Sequence, residues 1–382
     1  MFASFNIRKF GALADGNGNL KRSDGAWDLL TAFCERCDLV AIQEVLDRLD
    51  SLRHLRDRLG SAYALVVSDI AGGLPGRKGN KERLAFLYNT RRLKRTELSS
   101  DIVFERTAVF DQLFEHWPDF EGAFESRRQA LQAWQAKAES NRRQGKKPPR
   151  KPPFVLPHFV QFIRSPHLAS FEVEGRGGAA PYEFICINAH LLYGDKHKQK
   201  DEREREFKAL IGWLIDRARE TDRNYVSNMI LFGDLNLDFK RVDIRRSAIE
   251  KFIKSLNSDP AKLRNAAKVN FPFLDAHPSS ASGRVFRTNA RKDQTYDQIA
   301  IFAHDKRLPP PHRNTHAGKA GPNSYDYGMF DFVQLFLDAV PALTRPNGKI
   351  DYGPFEYDVS DHMPIWIRLP IPHTNQPTFR WR

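Results

Sequence analysis

The chain has 382 residues, 41% of them hydrophobic, and a formal net charge of +13. That length supports one large core or two smaller ones, and the positive balance points to a polyanionic partner, nucleic acid ahead of a membrane surface. Three cysteines (Cys34, Cys37 and Cys186) exclude a disulfide framework and fit a reducing compartment. No apolar run reaches transmembrane length, and no charged segment precedes an apolar stretch at the start, so a cytoplasmic protein is expected.

Residues 2–7 read as a strand ending at Asn6. Residues 25–36 read as a helix that runs into Cys34-Glu35-Arg36-Cys37, a C-x-x-C without a second pair, whose thiols are taken as ordinary half-buried groups. Residues 39–42 form a buried strand ending at Gln43-Glu44, and residues 49–59 a helix stopped by Gly60. A strand at 83–88 follows Lys81-Glu82. Strands are expected at 154–164, 168–173 and 182–190, separated by Ser-Pro and Gly-rich turns. Residues 200–219 form a charged helix with Phe207, Leu210, Ile211 and Leu214 on one face. An apolar strand, Met229-Ile230-Leu231-Phe232, is closed by Gly233. A helix at 243–256 and strands at 296–302 and 363–369 complete the set. Several strands are adjacent in sequence and others alternate with helices, which suggests two sheets with helices outside.

Two segments read as insertions into a single domain spanning 1–382, one at about 104–153 and one at about 306–350. The first is helical in its middle and ends in a basic, proline-rich run. From Ser126 to Pro153 there are nine Lys/Arg and one acid, Glu139, so +8 of the +13 lies in 28 residues. Packed positive charge of this kind favours phosphate backbones; the plain alternative is a solvated surface loop. The second insertion carries an aromatic-rich run at 325–336, read first as core and second as the face of a regulatory protein or a homo-oligomer.

Polar side chains recur where apolar strands end: Asn6, Glu44, His190, Asp234 with Asn236, and Asp297; Glu82 and the run Ser360-Asp361-His362 precede strands. Asp234 and Asn236 lie two apart and so point to one side of an extended chain. Each position alone has an ordinary account as a turn or a cap. Together they supply what phosphodiester hydrolysis needs. Glu44, Asn6 and Asp361 are hard oxygen ligands for a divalent cation. His362 is the candidate base for the attacking water, with Asp297 to fix its tautomer. His190 and Asn236 would donate to the non-bridging oxygens, and Asp234 would orient the nucleophile.

Asn6, Ile42-Gln43-Glu44, Asn188-Ala189-His190, Gly233-Asp234-Leu235-Asn236, Tyr296-Asp297 and Ser360-Asp361-His362 resemble the ordered motif series of the endonuclease/exonuclease/phosphatase superfamily. Lys81-Glu82-Arg83 and Tyr296-Asp297-Gln298-Ile299 resemble its deoxyribonuclease I branch in particular. The resemblance implies a four-layer α/β/β/α sandwich of two packed mixed β-sheets flanked by helices, with the site at one edge of both. It also implies that Glu82 pairs with His190 and Asp297 with His362, and that the enzyme depends on Mg2+, with Mn2+ as a substitute. The family's phosphate-binding arginine is matched to Arg150. Arg83, Lys151, Asn188 and Tyr193 join it as candidate substrate contacts. The expected function is a metal-dependent nuclease acting on DNA. The alternatives are a phosphatase or phospholipase of phosphoinositide or sphingomyelin type on the same scaffold, and a non-catalytic nucleic-acid-binding module.

Overall fold

The computed structural model describes residues 1–70, 81–152, 154–194, 197–219, 226, 228–237, 251, 268–274, 287–303, 327–339 and 347–373. In chain order the elements are β1 (Phe2–Phe10), α1 (Asp24–Cys34), β2 (Leu39–Val45), α2 (Asp50–Leu59), β3 (Tyr63–Val67), β4 (Arg83–Asn89) and β5 (Lys94–Asp101). Then come α3 (Arg106–Glu115), α4 (Trp117–Arg143), β6 (His167–Val173), β7 (Tyr182–His190), α5 (His197–Arg219), β8 (Met229–Asp234) and β9 (Lys268–Asn270). The chain closes with β10 (Asp297–Ala303), β11 (Tyr327–Met329), helices Phe332–Ala339 and Tyr352–Asp358, and β12 (Ile365–Ile367).

The strands form two six-stranded sheets, ordered β11-β12-β1-β2-β4-β3 and β5-β6-β7-β8-β10-β9. Each is mixed: β1 runs parallel to β2 and β7 parallel to β8, and the other pairs are antiparallel. Three apolar layers hold four structural layers together. One lies between the sheets, with Phe2, Leu39, Phe86, Phe171, Phe184 and Phe232. A second seats α1, α2 and the helix Phe332–Ala339 on the outer face of the first sheet, through Trp27, Leu30, Leu52, Phe332 and Phe336. The third seats α5 on the second sheet through Phe207, Leu210, Ile211, Leu214 and Ile215. Burial of each such side chain contributes about 1.5–3 kcal/mol relative to leaving it exposed. This is the expected α/β/β/α sandwich.

Strand parity explains how the site comes to lie at one end. Side chains alternate between faces, and the inner faces turn polar in step. Phe2, Ser4 and Asn6 lie on the inner face of β1, and Leu39, Ala41 and Gln43 on that of β2. On β7 the series is Phe184, Cys186, Asn188 and His190; on β8 it is Ile230, Phe232 and Asp234. The odd-parity residues Ala3, Phe5 and Ile7 of β1, or Met229 and Leu231 of β8, go to the outer layers. The inter-sheet layer is therefore hydrocarbon at one end and hydrogen-bonding at the other.

Four expectations need correction or completion. Residues 154–164 form no strand; Phe159 and Phe162 instead pack edge to face and, with Phe104, plug the α5 layer. Four strands, β3, β5, β9 and β11, were not foreseen, and all four are sheet edges. β5 reads Lys-Arg-Thr-Glu-Leu-Ser-Ser-Asp and is half exposed, so it has no apolar periodicity to detect. The aromatics at 330–336 go to core: Phe332, Val333 and Phe336 are buried, which removes them as a free partner face. Apart from residue 251, the helix expected at 243–256 lies outside the described residues, as do 306–326 and 340–346 of the expected second insertion. The segment expected as the first insertion carries α3 and α4; no residue of α3 is buried, and in α4 only Phe120 and Ala138 are. All three cysteines are buried thiols; burial pushes Cys37 up to about 12 and Cys34 and Cys186 well up, which suits packing rather than redox chemistry. No helix among the described residues is long and apolar enough to cross a membrane.

Candidate active site

The two parallel pairs put their ends side by side. β8 is flanked in register by β7 and β10, so His190 sits opposite Asp234 on one side and Asp297 opposite it on the other. Gly233 makes this possible: a Cβ there would lie 2.0 Å from the Ala189 carbonyl oxygen. β1 of the other sheet lies against β8, and Asn6 Nδ2 donates to Asp234 Oδ2 at 2.9 Å and to Glu44 Oε1 at 3.3 Å. One carboxylate is thus the meeting point of both sheets.

Two imidazoles address it. His190 Nε2 and His362 Nε2 each lie 3.5 Å from Asp234 Oδ2. His362 Nδ1 is 2.9 Å from Asp297 Oδ2, and His190 Nδ1 is 3.1 Å from Glu82 Oε2. His362 is placed by Ser360, whose hydroxyl donates to the Asn6 carbonyl at 2.7 Å and accepts from the His362 backbone N–H at 3.1 Å. The start of β10 is pinned by Thr288 Oγ1, which accepts from the N–H groups of Tyr296 and Asp297. Asn236, two residues beyond Asp234, holds a left-handed φ of 51°; its N–H donates to Asp234 Oδ1 and its Nδ2 to the Leu191 carbonyl. Glu44 also has a left-handed φ, 58°, at register shifts in β1 and β2. A non-glycine residue so held costs about 1–3 kcal/mol, and such outliers cluster at functional sites.

The electrostatics follow from burial and pairing. Burial alone would lower the His362 imidazole, but the carboxylates of Asp297 and Asp234 outweigh it and hold it well above its ordinary 6.5. Burial raises Asp297 against the opposing pull of His362. Burial would raise Asp234 too, yet the charges of His362 and His190 and the Asn6 amide bring it down. For Glu82, contact with His190 and the charge of Arg164 outweigh burial and hold the carboxyl at about 2.

Glu44, Asn6 and Asp361 fit a divalent cation. Asn6 Oδ1 and Asp361 Oδ1 are buried without a hydrogen-bond partner, and Glu44 stands beside them. Orphaned buried oxygens are costly, and oxygen-only ligands suit a hard ion. Burial, with the charge of Glu44 adding to it, raises Asp361, a cost a cation would relieve. Asp234, Asp297 and His362 also offer ligand atoms within 4.8 Å of one another; there Asp297 Oδ2 and His362 Nδ1 are bonded to each other, and Asp297 Oδ1 is a further buried oxygen without a partner. The groups open onto a cleft of about 560 Å3 lined by Glu44, Arg164, His190, Asp234, Asp361 and His362 among others.

Its structural neighbours are proteins of the endonuclease/exonuclease/phosphatase family. A family protein from Bacteroides thetaiotaomicron is 13% identical, with 95% of this chain and 94% of that one covered and a TM-score of 0.45. One from Bacteroides vulgatus is 14% identical, over 97% and 98%, with a TM-score of 0.46. A mannosyl-6-phosphatase from Bacteroides thetaiotaomicron is 13% identical, over 97% and 98%, also at 0.46. No family model matches the chain, and no curated protein matches it.

The candidate substrate contacts fare differently from the central groups. Arg150 and Lys151 do not line the cleft; Lys151 sits over the Trp134 ring at 5.8 Å. Two arginines among the described residues line it: Arg291, paired with Glu356, and Arg164, which donates to Glu82 Oε1 at 3.0 Å and to the Leu191 carbonyl at 3.3 Å. Its signal in the sequence was an arginine just before Ser165-Pro166 and a strand. Arg83 is spent on the Ser68 carbonyl and Asp69. Asn188 is fully buried and ties the sheets together: its Nδ2 donates to the carbonyls of Ile42 and Ala85, and its Oδ1 accepts from Gln43 at 2.7 Å. Tyr193 is on the cleft rim, 56% exposed. Glu206 of α5 was also missed. Almost fully buried, it accepts from the N–H groups of Ile163 and Leu192, both at 3.0 Å, and so positions the segments bearing Arg164 and His190.

Proposed function

We propose that the protein is a divalent-cation-dependent hydrolase of phosphate diesters that acts on nucleic acid, with DNA as the preferred substrate. The observation behind this reading is the convergence of two carboxylate-backed imidazoles on Asp234 beside two orphaned oxygens. His362, neutral, takes a proton from the attacking water at Nε2, and Asp297 holds its tautomer and offsets the imidazolium charge. Asp234 orients that water. His190, backed by Glu82, and the Asn236 amide face the non-bridging oxygens, where negative charge grows; Arg164 adds a fixed positive charge on the rim. A cation at Glu44, Asn6 and Asp361, Mg2+ in this reading, would neutralise phosphate charge and stabilise the departing oxygen.

The test is a substrate panel of circular and linear DNA, RNA, a phosphoinositide and a phosphate monoester, each with Mg2+, with Mn2+ and with EDTA. Cleavage of nucleic acid that EDTA abolishes is expected. Turnover of only the monoester or the lipid would replace the nuclease reading with a phosphatase one, and binding without turnover would favour the non-catalytic reading. Glu44→Gln is expected to raise the Mg2+ concentration needed for half-maximal rate by at least about tenfold, the cost of losing even an outer partner of a ligand. An unchanged Mg2+ dependence would remove Glu44 from the cation set.

The basic run supports a long polyanion over a small ester. Deleting residues 144–151 removes Lys146, Lys147, Arg150 and Lys151. Binding to duplex DNA is expected to weaken, and the slope of log affinity against log salt to flatten by about 0.9 for each phosphate those side chains neutralise. An unchanged slope would make the run a bystander.

A further inference from the structure

The basic insertion holds a second cluster of ligating side chains, remote in sequence from the catalytic groups. His116 stands at the junction of α3 and α4, Asp119 in the first turn of α4, and His158 on the segment that returns to β6. One ligand atom from each lies within 4.8 Å of the other two. His158 Nε2 is 2.7 Å from Asp119 Oδ2, and the two imidazoles stack with centroids 3.8 Å apart and planes 5° from parallel. Among the described residues neither ring nitrogen of His116 makes a hydrogen bond. All three side chains reach solvent, with His158 30% and Asp119 61% exposed, so an ion can enter.

We propose that His116, Asp119 and His158 form a binding site for a borderline transition-metal ion, Zn2+ above all, which clips the insertion to the body of the enzyme. Two imidazoles and one carboxylate suit Zn2+ and its neighbours, whereas the all-oxygen set in the cleft suits Mg2+. Water completes a tetrahedral set. The mechanical case rests on where the ligands stand. His158 adjoins Phe159, which packs with Phe104 and Phe162 into the α5 layer. Its segment is also tied to α5, where Arg205 donates to the Leu156 carbonyl. His116 and Asp119 belong to a helical pair with almost no core of its own. Small-core elements rely on such staples, because binding free energy adds directly to the folded state. The ion would set the angle at which the basic helix α4 and its proline-rich end project.

Zinc is titrated calorimetrically into the full-length protein, stripped with EDTA and returned to excess Mg2+, and thermal unfolding is followed with and without zinc. Wild type is expected to bind one Zn2+ tightly and to unfold at a higher temperature with it. His158→Asn keeps a donor for Asp119 but lacks an imidazole; it should bind zinc at least about tenfold more weakly and lose the thermal shift, and His116→Ala should do the same. His362→Ala, which dismantles the cluster at Asp234, should retain both. Equal binding by wild type and His158→Asn, loss in His362→Ala alone, or no tight zinc in wild type would each overturn the proposal. Circular dichroism of the metal-free variants separates lost binding from lost folding. The site does not depend on the nuclease reading, since zinc binding and unfolding are read without any substrate.

Discussion

Replacing His362 by alanine is expected to lower the rate constant for phosphodiester hydrolysis about 100- to 10,000-fold, the range for a positioned general base. The imidazole is buried, backed by Asp297 at 2.9 Å and aimed at Asp234. Among the described residues no other imidazole takes that position, since His190 reaches Asp234 from the β7 side and is committed to Glu82. Because His362 is outside the set Glu44, Asn6 and Asp361, the Mg2+ dependence of the residual rate should stay put. Single-turnover cleavage across a Mg2+ series measures both quantities. A large change in Mg2+ requirement would instead place His362 among the ligands, as the Asp234–Asp297–His362 grouping also permits.

Asp297→Asn is expected to cost nearly as much, because an amide facing Nδ1 no longer enforces the tautomer that leaves Nε2 free to accept; in the Ser-His-Asp arrangement the equivalent change costs about 10,000-fold. It should also move the pH profile. Burial depresses the His362 imidazole, and Asp297 is the largest influence raising it. A base must be neutral, so the wild-type rate climbs with pH through that raised value. Without Asp297 the value falls, and the acid limb of the variant's residual activity should shift to lower pH. The sign for stability runs the same way. The folded-state value of His362 lies above 6.5, so its ion pairing stabilises the fold fully below 6.5 and is lost as pH rises through the folded value. The His362 contribution to the stability gap between wild type and Asp297→Asn should therefore be widest on the acid side. A rate profile that keeps its acid limb in place would show that Asp297 does not set the base.

The central groups were legible because period-two alternation is local. Asp234 follows Phe232 and Ile230 on one face, and His190 follows Asn188 and Cys186. What alternation could not reveal was which inner-face polar groups meet substrate and which tie the sheets together. Asn188 was misplaced for that reason: its partners at Gln43, Ile42 and Ala85 are separated from it by 103 to 146 residues. Arg150 was matched to the family's arginine because a strand was expected at 154–164; with no strand there, the arginine that precedes the next strand, β6, is Arg164. The run at 154–164 has the hydrophobicity of a strand, but its aromatic rings cluster with Phe104 rather than lining a ladder. β5 escaped notice because an edge strand with polar side chains has no hydrophobic face to betray it. The basic run could be read from composition, whereas the meeting of Asp119 with His158, 39 residues on, and of His116 with the same ring could not.

Initial rates of nucleic-acid hydrolysis by the wild-type protein and by His362→Ala, each in Mg2+, then in EDTA, then with Mg2+ restored, bear most directly on the claim that these side chains form one cation-assisted catalytic centre. Wild-type activity should vanish with chelation, return with Mg2+, and exceed the variant's at least about 100-fold throughout. Hydrolysis that ignores EDTA, or that proceeds equally well without the His362 imidazole, would contradict it.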